Sequence, residues 1–127
     1  MKSIAVYCSS SNKISKAFND EVSKIGKLLA QKKFKIIYGG GDMGLMGELS
    51  KSAILAGGEV KGVITEHLIN IERKNESENN VKIVNTMHER KIEMYNSADS
   101  FLILPGGIGT LEEFFEVLSW KQLNLHN

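Results

Sequence analysis

The sequence has a single cysteine and a single proline, and it carries almost no excess of either charge. Because Cys8 has no second cysteine to pair with, an intrachain disulfide and a zinc site built from cysteine pairs are both excluded. Lysine and arginine number 16 against 15 aspartate and glutamate, a net charge of +1, and no basic run marks a footprint for a polyanion. We therefore predict neither a metal site nor a nucleic-acid partner.

Long apolar runs are missing too, since no segment approaches the roughly 20 residues that cross a bilayer. Residues 1–8 place a lysine before a short apolar stretch, without the longer apolar region and small-residue cleavage site of a signal peptide. We interpret them as a first strand and predict a cytoplasmic protein with no membrane segment. The length of 127 residues and the 42% apolar content suit one domain over residues 1–127.

Short apolar runs alternate along the chain with segments whose apolar residues recur at helical spacing. Strands are predicted at 4–8, 36–38, 60–64, 81–84 and 101–104, and helices at 14–29, 45–54, 87–98 and 110–123. The charged, Asn-rich stretch 66–80 is predicted to be a surface loop with one helical turn near Leu68. This alternation predicts an α/β fold, a Rossmann-like doubly wound parallel sheet with helices on both faces.

Ligands of such sheets bind beyond the carboxyl ends of the strands, near the point where the strand order reverses. The predicted strand ends with chemically capable loops are 9–11, 39–41, 86–88 and 105–110. The last of these is rich in glycine and opens an amphipathic helix, whose unpaired N–H groups favour an anion. No lysine follows the glycines as in a Walker loop, so a monophosphate is the predicted occupant.

Both glycine loops also have a purely structural interpretation. Thr110 and Glu113 have the spacing of a capping box, in which they would only satisfy backbone donors at a helix start. Residues 39–44 contain G-x-G-x-x-G, but they follow the second strand and lack the acidic residue of a dinucleotide site. We therefore predict a tight turn with room for a ligand at this loop, and no NAD.

The start of the helix after strand four offers another pair of interpretations. Arg90 and Lys91 are adjacent cations near a strand end, where a guanidinium can bind phosphate or a carboxylate. Alternatively, Thr86 and Glu89 form a capping box and the two cations belong to a solvated face. His88 on its own is more often a hydrogen-bonded structural residue than a catalyst.

Taken together, these motifs resemble the Lonely Guy family of cytokinin riboside 5′-monophosphate phosphoribohydrolases, whose members are often called lysine decarboxylases. The matching segments are Tyr-Cys-x-Ser-Ser at 7–11, Tyr-Gly-Gly-Gly-x-x-Gly-Leu-Met-Gly at 38–47, Met-His-x-Arg-Lys at 87–91 and Pro-Gly-Gly-x-Gly-Thr-x-x-Glu at 105–113. Decarboxylation is not predicted, because no pyridoxal-binding lysine with supporting contacts is evident. The resemblance implies hydrolysis of the N-glycosidic bond of cytokinin riboside 5′-monophosphates and AMP, without a cofactor.

The resemblance also assigns residues to roles. It places the catalytic pair on Arg90 and Glu113, with the carboxylate stabilising an oxocarbenium-like state and the guanidinium orienting it. With the loop hydroxyls and glycines added, the predicted substrate-binding residues are Ser10, Ser11, Gly40, Gly41, Glu72, Arg90, Lys91, Gly106, Gly107, Ile108, Gly109, Thr110, Leu111, Glu112, Glu113 and Ser119. It further implies a homodimer formed by the helices that follow strands four and five.

The sequence departs from the family pattern in three ways. Ser9 stands where glycine is usual and Thr65 where proline is common. Family members usually continue into a further strand and helices, so we expect the C-terminal part of the fold to be missing and strand five to be an uncovered edge.

Two other functions suit the same fold, because a fold does not fix a function. One is a nucleotide or molybdenum-cofactor carrier that binds its ligand without cutting it. The other is an interaction subunit in which the glycine loops are plain turns.

Overall fold

The computed structural model describes residues 2–8, 16–42, 44–72 and 81–104, with the side chains of 70–72 left out. Its elements are β1 (Ser3–Tyr7), α1 (Lys16–Gln31), β2 (Lys35–Tyr38), α2 (Gly44–Leu55), β3 (Glu59–Thr65), α3 (Glu66–Glu72), β4 (Val81–Val84), α4 (Met87–Ser97) and β5 (Ser100–Ile103). None of the helices in these ranges is long and apolar enough to cross a membrane. The helix predicted at 110–123 lies outside the described residues.

The strands form one parallel sheet in the order β4-β3-β2-β1-β5. From β1 the chain adds β2, β3 and β4 in one direction, and it then returns to place β5 on the other side of β1. Tyr7 lies opposite Ile103, and the N–H of Leu104 donates to the carbonyl oxygen of Tyr7 at 2.9 Å. The α/β prediction is confirmed, and the strand order reverses between β1 and β5.

Different helices cover the two faces of this sheet. On the α1/α2 face, strand residues pack against the two helices in a cluster formed by Val6, Cys8, Val22, Ala30, Ile36, Tyr38, Leu45, Leu49, Ala53 and Val60. On the α4 face, the cluster is Ala5, Tyr7, Ile37, Val63, Val84 and Met94. Neighbouring strand residues such as Ala5 and Val6 fall on opposite faces, as the two-residue period of a strand requires.

Both helices of the α1/α2 face end with a residue in the left-handed conformation. Gly57 after α2 has φ 78°, and the next N–H, of Gly58, donates to the carbonyl of Ala53 at 2.8 Å. This is the helix stop expected from the two glycines. Lys33 after α1 occupies the same position with φ 62°, where a residue with a side chain costs about 1 kcal/mol.

The segment 66–72 corrects the sequence prediction. It forms the two-turn helix α3, whereas we expected a loop with a single turn near Leu68. Thr65 is buried, and its Oγ1 accepts a hydrogen bond from the N–H of Leu68 at 3.2 Å. The threonine at a position where the family often has proline therefore caps this helix.

Candidate active site

Thr86 fixes the start of α4. Its Oγ1 accepts from the N–H of Glu89 at 3.1 Å, and the Glu89 carboxylate accepts from the N–H of Asn85 at 3.1 Å. The predicted capping box is confirmed, except that the return bond goes to the residue before the cap. The capped turn directs the next residue, Arg90, toward the sheet.

Arg90 is almost fully buried, with 5% of its surface exposed. Its Nε donates to the carbonyl oxygen of Val63 at 2.9 Å, and its Nη2 donates to that of Gly39 at 2.6 Å. Val63 belongs to β3 and Gly39 follows β2, so the guanidinium spans the carboxyl ends of two neighbouring strands. Because charge-assisted bonds of this kind are strong, Arg90 is a fixed cation, and its interpretation as part of a solvated face is wrong.

The glycine turn after β2 lies directly on the backbone of β3. Gly40 has φ 80°, and a Cβ added to Gly62 in β3 would come within 2.7 Å of the Gly40 Cα. Gly39, Gly40 and Gly41 are all buried. The close backbone approach is thus made toward β3, while an approach to a ligand by Gly40 and Gly41 stays a prediction.

A second group of charges joins α4 to the sheet near Arg90. Glu93 accepts a hydrogen bond from Nζ of Lys61 in β3 at 2.8 Å and forms an ion pair with Lys82 in β4 at 3.1 Å. Lys61 also donates to Oγ of Ser97 at 3.3 Å. Hydrogen bonds from Lys61 and then Lys82 lower the pKa of Glu93 below its ordinary value, so the carboxylate stays charged at neutral pH.

Aromatic stacking completes the packing of α4 on the sheet. The rings of Tyr95 in α4 and Phe101 in β5 lie 5.4 Å apart, and Phe101 stacks in turn with Tyr7 in β1. Burial raises the pKa of Tyr95 above its usual value. The helix that carries Arg90 is therefore fixed to β5 and β1 as well as to β3 and β4.

The structure describes only part of the predicted site. It brings Arg90 against the turn that contains Gly40 and Gly41, and it leaves Lys91, the next residue of α4, half-buried. Glu72 ends α3, and its side chain is not described. Outside the described residues lie Ser10, Ser11, Ser119 and the run 106–113 with Gly106, Gly107, Ile108, Gly109, Thr110, Leu111, Glu112 and Glu113.

Sequence reasoning missed the partners of Arg90. The partners are backbone carbonyls, those of Gly39 and Val63, which no residue type marks in a sequence. The burial of Arg90, in contrast, could have been predicted from the sequence. Arg90, Met94 and Ala98 are spaced by four, which puts the arginine on the inward row of α4. His88 is exposed. Among the described residues, no group of three or more His, Cys, Asp or Glu could hold a metal ion.

The fold and this edge of the sheet define a Rossmann-like α/β protein with a buried cation at its carboxyl edge. The family model described as "Possible lysine decarboxylase" matches residues 46–127. Curated relatives that are 40–43% identical to this chain are named cytokinin riboside 5′-monophosphate phosphoribohydrolases. The chain therefore belongs to this family, the Lonely Guy family.

The similarity to curated relatives runs along nearly the whole chain. The chain is 43% identical over 123 residues to the "Probable cytokinin riboside 5'-monophosphate phosphoribohydrolase LOGL9" of Oryza sativa subsp. japonica, and the match covers 97% of this chain and 54% of that protein. It is 40% identical over 126 residues to the enzyme LOG5 of Arabidopsis thaliana, covering 99% and 55%. The chain thus spans about half the length of the curated relatives it matches.

Solved structures share the fold. The structural-genomics target TM1055 is similar with a TM-score of 0.71 and 27% identity, over 91% of this chain and 67% of that chain. A molybdenum cofactor binding protein from Rippkaea orientalis is similar with a TM-score of 0.78 and 20% identity, over 95% and 73%. At that identity, the second likeness concerns the fold alone.

Proposed function

We propose that the protein hydrolyses the N-glycosidic bond of cytokinin riboside 5′-monophosphates and of AMP, releasing the free base and ribose 5-phosphate. The observation that carries the proposal is the placement of Arg90. The arginine of the family motif is buried at the carboxyl edge of the sheet and held there by two carbonyl oxygens. The names of relatives at 40–43% identity support the same activity.

The chemistry requires a water molecule to add to the ribose C1′ while the electron pair of the C–N bond leaves with the base. The base then takes a proton, so that the products are the neutral base and ribose 5-phosphate. Because the sugar becomes oxocarbenium-like, a nearby carboxylate stabilises it and can accept the proton of the water. We assign this role to Glu113, and we assign to Arg90 the orientation of that carboxylate and part of substrate binding.

The glycine loop 106–110 supplies the site that we propose for the 5′-phosphate. A helix start after a glycine loop offers N–H groups and a positive dipole end to an anion. The hydroxyls of Ser10, Ser11 and Thr110 are further donors to phosphate or ribose, with Lys91 and Ser119 as additional contacts. The strand order supports this arrangement, because β1 and β5, which lead into the loops predicted at 9–11 and 105–110, are neighbours.

A direct assay tests the activity. The full chain is incubated with AMP, isopentenyladenosine 5′-monophosphate and zeatin riboside 5′-monophosphate, and the free base and ribose 5-phosphate are quantified by chromatography. We expect Glu113→Gln to lower kcat by about 100-fold or more, since it removes the charge and keeps the shape. The matched control is Glu59→Gln, an exposed glutamate at the amino end of β3, which should retain turnover.

The alternative is a carrier that binds a nucleotide or a molybdenum cofactor without cutting it. Solved structures with such names share the fold at 18–21% identity, which does not extend to function. The presence of both Arg90 and Glu113 favours the enzyme. Binding of AMP in calorimetry with no release of adenine would support the carrier instead.

We also propose a homodimer in the cytoplasm, formed by α4 and the helix predicted at 110–123. The described part of this surface includes apolar side chains of α4 that reach solvent, Met87 at 45% and Ile92 at 37% exposure. A two-fold interface would bury them. Size-exclusion chromatography with light scattering should give twice the mass of the chain, and a stable monomer would contradict the proposal.

A further inference from the structure

The guanidinium of Arg90 fills the space that a side chain at position 39 would need. A Cβ built on Gly39 would overlap Nη2 of Arg90 and would lie 2.8 Å from Cε of Met46. The same Nη2 donates to the Gly39 carbonyl oxygen at 2.6 Å. Residue 39 therefore provides both the room and the acceptor for one end of the guanidinium.

The backbone at position 39 does not itself require glycine. The described glycines with positive φ are Gly40, Gly44 and Gly57, so an alanine can adopt the conformation of Gly39 without backbone strain. The atoms nearest to its methyl group would be the ends of two long side chains, Arg90 and Met46. A Gly39→Ala substitution should therefore move the guanidinium and leave the chain in place.

Other contacts of Arg90 make such a movement costly. Nε is held by the Val63 carbonyl at 2.9 Å, and Nη1 lies 3.8 Å from Sδ of Met87. The guanidinium is planar and rigid, so it cannot shift at Nη2 and keep good geometry at Nε. Its orientation is thus determined by the absence of a side chain at Gly39.

We propose that Gly39 is a positioning residue that acts through Arg90 and sets the direction of the guanidinium at the carboxyl edge of the sheet. Its importance for hydrolysis rests on the function proposed above, whereas its coupling to Arg90 does not. The sequence motif around residues 38–47 therefore shapes the site through a neighbouring side chain, in addition to any contact of Gly40 and Gly41 with a ligand.

A thermodynamic cycle tests the coupling without any assay of activity. Thermal unfolding midpoints are compared for the wild type, Gly39→Ala, Arg90→Ala and the double variant. We expect Gly39→Ala to lower the midpoint by several degrees in the wild type and to leave it unchanged or raise it in Arg90→Ala, where the methyl enters vacated space. Equal losses in both backgrounds would overturn the proposal.

Met46 provides the control, because it is the other side chain beside Gly39. In a Met46→Ala background, which removes the more distant of the two neighbouring side chains, Gly39→Ala should keep most of its cost. If the cost disappears there and persists in Arg90→Ala, the glycine makes room for the methionine and the proposal is wrong.

Activity is measured with AMP as substrate, at a temperature below the unfolding midpoint of every variant. We expect Gly39→Ala to lower kcat by about 10- to 100-fold with a smaller change in KM, as for a misplaced catalytic group. An unchanged kcat would remove the catalytic part of the proposal. If the wild type hydrolyses no nucleotide, the proposed function fails, and the unfolding cycle still decides whether Gly39 and Arg90 are coupled.

Discussion

The two faces of the sheet are held to their helices by different forces. Apolar side chains dominate the α1/α2 face, and the buried serines described there, Ser50 and Ser52, bond to carbonyls of their own helix. The α4 face combines an apolar cluster with the buried Arg90 and with Glu93 between two lysines. On this second face, side-chain hydrogen bonds and ion pairs with a fixed direction join the helix to the strands.

This difference separates stability from placement. Apolar burial depends on area and tolerates small rotations of a helix. Hydrogen bonds lose strength steeply when their angles change, so Arg90 and Glu93 determine both the rotation of α4 and its position along the strands. The orientation of α4, the helix that carries the motif cations, is therefore closely specified.

The largest expected effect on stability comes from the α1/α2 face. Leu49 is fully buried in its cluster, and Leu49→Ala should reduce the free energy of unfolding by about 2–5 kcal/mol, through lost burial and a residual cavity. Urea titration at pH 7 measures it. A loss smaller than that of the Arg90 variant described next would contradict the idea that the α1/α2 face contributes more to stability than the α4 face.

Arg90→Lys should have the next largest effect. Lysine keeps the charge but cannot reproduce the fork that reaches Gly39 and Val63, so we expect a loss of about 1.5–3 kcal/mol, the value of one charge-assisted bond. The same urea titration measures the loss. Stability equal to that of the wild type would show that the direction of these bonds is unimportant.

Glu93→Gln should cost less, about 1 kcal/mol at neutral pH, because Lys82 is half-exposed and screened by solvent. The pKa of Glu93 is lower in the folded chain than in the unfolded one, so its contribution is complete above the unfolded pKa of about 4.3. It is lost as the pH falls through the folded pKa. Unfolding at pH 7, 5 and 3 should show a difference from the wild type that is constant and then shrinks, and a constant difference at pH 3 would contradict the assignment.

The smallest effect is a gain. Lys33→Gly should stabilise the chain by up to about 1 kcal/mol, because glycine adopts the left-handed conformation at the end of α1 without strain. Gly57→Ala, the matched change after α2, should destabilise it even though the added Cβ meets no atom within 4 Å. Thermal unfolding of both variants compares them, and a stability loss in Lys33→Gly would count against the strain.

The regular parts of this fold were predictable from the sequence, since apolar periodicity locates strands and long helices well. The two glycines after α2 predicted the end of the helix correctly, because glycine readily adopts the left-handed conformation that ends it. Lys33 gave no such signal, because its conformation is imposed by the closing bonds of α1, in which the N–H groups of Lys33 and Phe34 donate to the carbonyls of Ala30 and Leu29, and not by a preference of lysine. The helix α3 was missed because seven residues are too few for a helical period to be recognised.

The candidate site was predictable in composition more than in geometry. The motif identified Arg90, but residue types alone left open whether it was solvated or buried. Its partners are backbone carbonyls, which every sequence contains, so only the folded sheet could reveal them. The role of Gly39 could not be predicted for a related reason. Position 39 must lack a side chain because of Arg90, a residue 51 positions away in the sequence.

The pairing of β1 with β5 also sets the time at which the carboxyl edge can be completed. β1 joins β2 after a short stretch of chain, whereas its bonds to the β5 region connect residues 96 apart, as between Ser3 and Asp99. Closing so long a loop is entropically unfavourable and slow, so β1 should wait with one side unpaired until β5 has left the ribosome. Pulse-labelling hydrogen exchange during refolding should therefore protect the Lys35 amide, which donates to Lys2, before the amides of Asp99 and Leu104, which donate to Ser3 and Tyr7.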